Sequence, residues 1–121
     1  MHKRDFGFKE LLVWQKALDF ADEMIALTEK LNSDTKHYRL VEQLESSAAS
    51  VAQNIAEGKG RNSKKEFIHF LYIARGSLYE TITIINIFHR RQWISYEELG
   101  NAELKAFEIA SMIKGLINSI K

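Results

Sequence analysis

Apolar side chains recur at steps of three and four residues along most of the chain, a spacing that places them on one face of an α-helix. Four such segments follow one another: residues 8–31, residues 35–57, a segment that opens at Ser63 and a segment that opens at Ser95. Proline is absent, which long helices tolerate and turn-rich β proteins rarely show. The pattern predicts an all-α fold, an antiparallel up-and-down four-helix bundle.

Each predicted helix carries an apolar stripe for the core. The stripes are Leu11, Trp14, Leu18, Ala21 and Ile25 in the first helix, Val41, Leu44, Ala48, Val51 and Ile55 in the second, Phe67, Leu71, Ala74, Leu78, Ile85 and Phe88 in the third, and Leu99, Ala102, Ala106, Ile109, Ile113, Leu116 and Ile120 in the fourth. Residues 81–88 are β-branched enough to suit a strand, but they continue the helical phase and are predicted as helix.

Local signals mark the helix ends. Asn32-Ser33-Asp34 is predicted to end the first helix and cap the second, and Gly58 to end the second in the left-handed conformation. Ser63-Lys64-Lys65-Glu66 and Ser95-Tyr96-Glu97-Glu98 both match the capping box. The small residues 46–50 and Ala52 are predicted to pack closely against Gly76-Ser77 of the third helix.

Composition narrows the classes of protein. The 121 residues are expected to form one domain, residues 1–121, and the absence of cysteine excludes disulfides and thiolate chemistry. The charged N-terminus is not followed by the uninterrupted apolar segment of a signal peptide, and no apolar run is long enough to span a membrane, so we expect a cytoplasmic protein with no membrane partner. The formal net charge of +1 means that any contact with nucleic acid comes from a local patch, or from a patch repeated in an oligomer.

Residues 50–67 form the most distinctive stretch. It contains Asn54-Ile55-Ala56-Glu57-Gly58, then Gly60-Arg61 and Ser63-Lys64-Lys65-Glu66-Phe67. With Leu11-x-x-Trp14-Gln15-Lys16-Ala17 and residues 73–80, this stretch resembles the signature of the four-helix-bundle proteins encoded in intervening sequences of bacterial 23S ribosomal RNA genes. Accessory proteins of diversity-generating retroelements are similar.

The resemblance covers nearly the whole chain and implies a four-helix bundle that assembles into a ring-like homopentamer and associates with nucleic acid. The proline that often precedes the Asn54 position is missing here, which affects a local turn or kink more than the fold. The positions assigned to a structural role in this pattern are Trp14, Asn54, Glu57, Gly58, Phe67, Gly76 and Glu80.

The loop at residues 58–65 carries four cations and no acid. One hypothesis is a phosphate-binding patch, because glycines allow close backbone approach and the start of a helix offers free N–H groups. The other is a solvated loop that only ends one helix and starts the next. The candidate nucleic-acid contacts are Lys59, Arg61, Lys64, Lys65 and Arg75, with Lys9, Lys16, Arg90 and Arg91 behind them.

Arg75 lies between Tyr72 and Tyr79 on the third helix. Basic and aromatic side chains in alternation can hold a phosphate backbone and stack unpaired bases. Alternatively, the tyrosines pack between subunits. Trp93, in the turn before the fourth helix, either covers the end of the bundle or joins an interface, whereas Trp14 is predicted to lie in the core.

Asn54, Glu57 and Arg61 are interpreted as a polar network around the turn between the second and third helices. The pattern Glu66-x-x-His69 occurs once, whereas a di-iron bundle needs two copies and further carboxylates. No catalytic residue, metal site or cofactor is therefore predicted, and the chain is not expected to be an enzyme.

The leading hypothesis is a non-enzymatic, oligomeric bundle that binds RNA or DNA through the basic loop. One alternative is a protein–protein assembly scaffold without nucleic-acid binding, supported by the apolar residues 82–88. The other is a metal-dependent bundle enzyme built on Glu66 and His69.

Overall fold

The computed structural model describes residues 6–31 and 37–121. A short 3₁₀ helix, Gly7–Glu10, leads into α1, Leu12–Lys30. It is followed by α2, Tyr38–Lys59, α3, Lys64–Arg90, and α4, Tyr96–Ile120. The four predicted helices are therefore confirmed, and residues 81–88 lie inside α3. The stop and cap predicted at residues 32–34 fall outside the described part of the chain.

The helices pack as the predicted antiparallel up-and-down bundle. Both α1 and α3 pack against α2 and α4, and no Cα atoms of the described residues come within 8 Å of each other between α1 and α3 or between α2 and α4. Each helix thus occupies one corner of a square, with its chain neighbours beside it. The loop between α2 and α3 lies at one end of the bundle, together with the start of α1 and the end of α4. The turn between α3 and α4 lies at the other end.

Core packing follows the predicted stripes in α2, α3 and α4, with Ile117 buried in place of Leu116 near the end of α4. In α1 the predicted stripe is only partly confirmed: Ala21 is buried, and Leu11 and Trp14 pack against the core. Leu18 is 47% exposed and Trp14 is only half-buried, because α1 turns the neighbouring face toward the core. The buried residues of α1 are Val13, Ala17, Phe20, Ala21, Met24, Leu27 and Thr28. Apolar residues occupy two adjacent faces of this helix, so periodicity alone does not select between them.

Small and polar residues line the contact between α2 and α3, the largest helix contact in the bundle. The hydroxyl oxygens of Ser47 and Thr81 lie 2.8 Å apart, and those of Ser50 and Ser77 lie 2.9 Å apart. These hydrogen bonds satisfy hydroxyls that would be costly to bury alone. The predicted small middle of α2 does face α3, but Gly76 does not take part. Gly76 is exposed, with open space where a Cβ would stand.

Gly58 lies inside α2, so the predicted left-handed helix end is wrong. None of the described glycines has a positive φ, and Gly60 caps the helix at φ −77°. Gly58 is instead buried against α3. A Cβ at this position would lie 2.7 Å from the Phe70 Cβ and 3.0 Å from the Phe67 Cδ1. The glycine is required because the two helices approach each other closely here.

The serine caps of α3 and α4 are both present. The Ser63 Oγ accepts a hydrogen bond from the Glu66 amide at 3.1 Å, and the Ser95 Oγ accepts one from the Glu98 amide at 3.0 Å. Only the second cap is a complete capping box, because the Ser95 amide also donates to the Glu98 carboxylate at 2.8 Å.

The C-terminal end of α3 is closed by a Schellman motif. Gln92 has a φ of 64°, its amide donates to the His89 carbonyl, and the Trp93 amide donates to the Phe88 carbonyl, both at 2.9 Å. The Trp93 ring packs against Phe88 at 5.1 Å and against His37 at 4.4 Å between ring centroids. Trp93 therefore covers this end of the bundle, which is one of its two predicted positions.

We expect Gly58→Ala to destabilise the protein by about 1–3 kcal/mol, the usual range for overpacking a core. The added methyl group meets the Phe70 Cβ, which cannot move without its helix. Gly76→Ala is the matched control, since its Cβ meets nothing within 4 Å. It should stabilise α3 by about 0.5–1 kcal/mol. The midpoints of urea unfolding report both changes, and equal shifts of the two variants would refute the close-approach explanation.

We expect Glu98→Gln to cost about 0.5–1 kcal/mol at neutral pH, the usual range for a helix cap. The Ser95 amide, and to a smaller extent Lys30, lowers the pKa of Glu98 below its ordinary value. The stabilisation is therefore fully present above that ordinary value and is lost as pH falls through the lower pKa of the folded state. Urea unfolding between pH 7 and pH 3 should show the wild type and the variant converging in acid. A gap that stays constant with pH contradicts this origin.

Candidate nucleic-acid interface

The loop between α2 and α3 is short and its backbone is fixed by hydrogen bonds. The Gly60 amide donates to the Ala56 carbonyl at 3.2 Å, and the Arg61 amide donates to the Gly58 carbonyl at 3.1 Å. Ser63 then caps α3. Only residues 60–63 separate the two helices, so the last residue of α2 and the first residues of α3 lie at the same end of the bundle.

Arg61 is held against the protein by two carboxylates and an aromatic ring. Its guanidinium lies 2.9 Å from the Glu57 carboxylate and 3.9 Å from the Glu66 carboxylate. It also stacks over the Phe70 ring at 4.9 Å from the centroid. The loop sequence shows four cations without an acid, but the flanking Glu57 and Glu66 turn back onto Arg61. These contacts hold the Arg61 side chain at the surface of the loop, where it is still 42% exposed.

Three lysines of the same loop remain exposed. Lys59 ends α2, and Lys64 and Lys65 begin α3. None of the three forms an ion pair within residues 6–31 and 37–121. The Lys59 ammonium lies 5.9 Å from the centroid of the Phe67 ring, which supports its aliphatic chain.

The predicted supporting cations divide between the two ends of the bundle. Lys9 belongs to the 3₁₀ helix, which lines a groove together with residues 53–60 at the end of α2, and its side chain is exposed. We call Lys9, Lys59, Lys64 and Lys65 together the basic end.

Arg90 and Arg91 lie at the opposite end, about 37 Å from Lys65 along α3 at 1.5 Å per residue. Lys16 is paired with Glu108 at 3.4 Å.

Arg75 is not part of the basic end. It lies about 15 Å from Lys65 along α3. Its guanidinium rests 4.9 Å from the Tyr72 ring centroid and 5.9 Å from the Tyr79 ring centroid. The predicted alternation of basic and aromatic side chains is therefore present, but it lies on the side of the bundle and not at its end. Tyr79 and Arg75 both line a groove between α3 and α4.

The expected polar network around the turn is only partly formed. Glu57 and Arg61 form an ion pair, but Asn54 is not in it. The Asn54 amide donates to the Ser50 carbonyl and to the Ser50 Oγ, both at 2.8 Å. Asn54 thus extends the hydroxyl contact between α2 and α3. Glu80 is exposed and has no side-chain hydrogen bond or ion pair among the described residues.

Glu66 and His69, the residues of the hypothetical metal site, have other contacts. Glu66 takes part in the cap of α3 and lies near Arg61. The His69 ring packs edge-on against Phe70 at 5.6 Å. No three His, Asp or Glu side chains of the described residues come together to form a possible metal site.

The core stripe predicted for α4 leaves out an exposed apolar surface on this helix. Leu104 is 70% exposed and Phe107 is 72% exposed, and both lie outside the predicted core stripe. In the sequence, this surface is indicated by Leu104 and Phe107, which lie three positions apart and outside the core stripe. Within the described ranges, no helix has the length and apolar character needed to cross a lipid bilayer.

A protein of unknown function from the S23 ribosomal protein family of Bacteroides thetaiotaomicron has a similar structure, with a TM-score of 0.81 and 26% sequence identity. The match covers 88% of this chain and 98% of that chain. No curated protein matches the sequence significantly. The family model of the 23S rRNA-intervening sequence protein matches residues 9–115. Because this match spans most of the chain, the protein belongs to the 23S rRNA-intervening sequence protein family.

Proposed function

We propose that the protein is a non-enzymatic, cytoplasmic and oligomeric bundle that binds RNA or DNA through its basic end. The observation that carries this proposal is the cluster of exposed lysines around the α2–α3 loop. Lys59, Lys64 and Lys65 flank a fixed four-residue loop, and Lys9 lies at the same end.

The chemistry of this end suits phosphate groups. A lysine ammonium at the surface contacts phosphate as a mobile point charge and releases condensed counterions from the nucleic acid. The first turn of α3 adds backbone N–H groups that have no partner inside the helix, because the Ser63 Oγ satisfies only the Glu66 amide. Contacts of this type read the backbone and not the base sequence.

Repetition compensates for the small charge of one subunit. With a formal net charge of +1, a single copy attracts nucleic acid only weakly at long range. In the homopentamer that the family resemblance implies, five basic ends act on one ligand. Linked weak sites gain avidity without any new contact, provided that the ligand reaches several of them.

The exposed apolar residues of α4 favour a second candidate, an assembly scaffold whose partner is a protein. Leu104 and Phe107 present an apolar surface that single isolated residues would not form. A scaffold forms a stable complex with protein and shows no salt-dependent binding to RNA or DNA. The same binding experiment therefore separates the two candidates.

We expect the double variant Lys64→Ala/Lys65→Ala to weaken binding to a structured RNA and to a matched DNA by roughly tenfold or more at 0.1 M salt. Each lost phosphate contact should also lower the slope of log affinity against log salt by about 1 per engaged subunit. Fluorescence anisotropy over a salt series measures both quantities. Circular dichroism should show unchanged helicity, because both side chains are exposed.

Arg90→Ala/Arg91→Ala is the matched control, since it removes the same charge at the opposite end of the bundle. Its affinity and salt slope should stay near those of the wild type. Equal losses in the two double variants would show diffuse electrostatic attraction and contradict a site at the basic end. A wild-type protein that binds neither ligand at low salt favours the scaffold.

A further inference from the structure

Three aromatic rings form a row beside the basic end. The Phe6 ring stacks on the Phe8 ring at 5.8 Å between centroids, with 24° between the ring planes. The Phe8 ring meets the Trp14 ring edge-on at 5.1 Å. We call Phe6, Phe8 and Trp14 the aromatic row. Trp14 packs against the hydrophobic core, whereas Phe6 is 71% exposed. The row is therefore anchored in the bundle at one end and presents a flat ring to solvent at the other.

The backbone around the aromatic row is fixed by hydrogen bonds. The Lys9 amide donates to the Phe6 carbonyl at 3.3 Å. The Leu11 amide donates to the Phe8 carbonyl at 3.0 Å. The Gln15 side-chain amide donates to the Lys9 carbonyl at 2.8 Å and ties the 3₁₀ helix to α1. A ring that is already held in place loses little conformational freedom when a ligand stacks on it.

A groove connects the exposed ring of Phe6 with a lysine of the basic end. It has a volume of about 660 Å³ and lies between the 3₁₀ helix and the C-terminal turns of α2. Phe6 and Phe8 line it on the side of the 3₁₀ helix. Gln53 and Lys59 line it on the side of α2. Lys9 follows the two phenylalanines in the sequence, and its side chain is exposed. An exposed aromatic ring and cations of the basic end thus share one surface.

A flat ring beside cations suits one class of ligand. An aromatic side chain stacks on the face of a nucleobase, while basic side chains contact the phosphates of the strand. In a duplex the faces of the bases are covered by their neighbours, so an unpaired base is the one that can stack on a protein ring. We propose that the basic end binds single-stranded nucleic acid, with an unpaired base stacked on Phe6 and the flanking phosphates held by Lys9 and Lys59.

The polar residues of the groove are compatible with this ligand. Glu57 is the one acid among the described residues that line it, and its carboxylate lies 2.9 Å from the Arg61 guanidinium. This ion pair offsets the negative charge that would otherwise repel a phosphate. Gln53 is exposed, and its side-chain amide offers donors and an acceptor to the edge of a base.

A single exposed apolar side chain is ordinary on a protein surface and requires no ligand. Phe6 differs from such a residue because Phe8 positions its ring and because the ring shares a groove with Lys59. This inference deepens the proposed function by naming the form of nucleic acid that is bound. It rests on the proposed function, since the lysines of the basic end supply the attraction for phosphate.

Phe6→Ala, measured against three ligands, tests the stacking. The ligands are a DNA single strand without internal pairing, the same strand with abasic sites in place of bases, and its blunt duplex; the single strand is repeated as RNA. In fluorescence anisotropy the variant should bind the single strand roughly fivefold to a hundredfold more weakly, the range for the loss of one base–aromatic stack. Its binding of the abasic strand and of the duplex should not change. Its salt slope should equal that of the wild type, because the lysines remain.

Two further variants control the measurement. Phe6→Trp keeps a flat ring and should bind the single strand at least as tightly as the wild type, which separates stacking from a disturbed chain start. Tyr96→Ala removes an aromatic ring that is 80% exposed at the opposite end of the bundle, and it should bind all ligands as the wild type does. Circular dichroism should show the same helicity for all variants.

Three results would overturn the inference: unchanged binding of the single strand by Phe6→Ala, an equal loss for the single strand and the abasic strand, or the same loss in Tyr96→Ala. In each case, binding of the duplex that depends on salt and on Lys64 and Lys65 leaves the proposed function standing. A wild type that binds none of the ligands at low salt overturns the proposed function and this inference together.

Discussion

The close approach of α2 and α3 is the constraint on which the rest of the structure depends. At Gly58 the backbone of α2 lies so near α3 that a single methyl group would meet the Phe70 Cβ at 2.7 Å. Further along the contact, paired hydroxyl groups take the place of larger apolar side chains. Because the two helices stay this close up to their last turn, a few residues are enough to join them. The α2–α3 loop is accordingly short and fixed. The position of the basic end is thus a consequence of helix packing.

The ion pairs of this loop fix the positions of charged side chains more than they stabilise the fold. Surface ion pairs such as Arg61 with Glu57 contribute only about 0–1 kcal/mol. Their effect is to keep the arginine and both carboxylates together at the protein surface, over the Phe70 ring. Lys59, Lys64 and Lys65 form no ion pair with these carboxylates or with any other acid among the described residues. The ammonium groups of these lysines are therefore exposed and unpaired among the described residues, although the net charge of the subunit is only +1.

Much of the fold can be predicted from the sequence. Stripes in three helices, the Ser63 and Ser95 caps and the helical state of residues 81–88 follow from periodicity and local hydrogen bonding. The misses have specific causes. Both Leu18 and Val13 are apolar, so the phase of α1 depends on its neighbours. Gly58 looks like a helix end because the glycine that a tight contact requires is indistinguishable, in sequence, from one that a turn requires. The pairing of Arg61 depends on side-chain positions in space.

The proposed nucleic-acid surface lies at one end of the bundle, and the bundle topology explains why charged residues gather there. An up-and-down bundle has two ends, where loops and helix termini expose charge, and four sides, where helix faces meet solvent. Here one side is covered by ion pairs and two opposite sides stay apolar. The proposed oligomer would repeat the basic end once per subunit, and this repetition would supply the charge density that a nearly neutral chain cannot present alone.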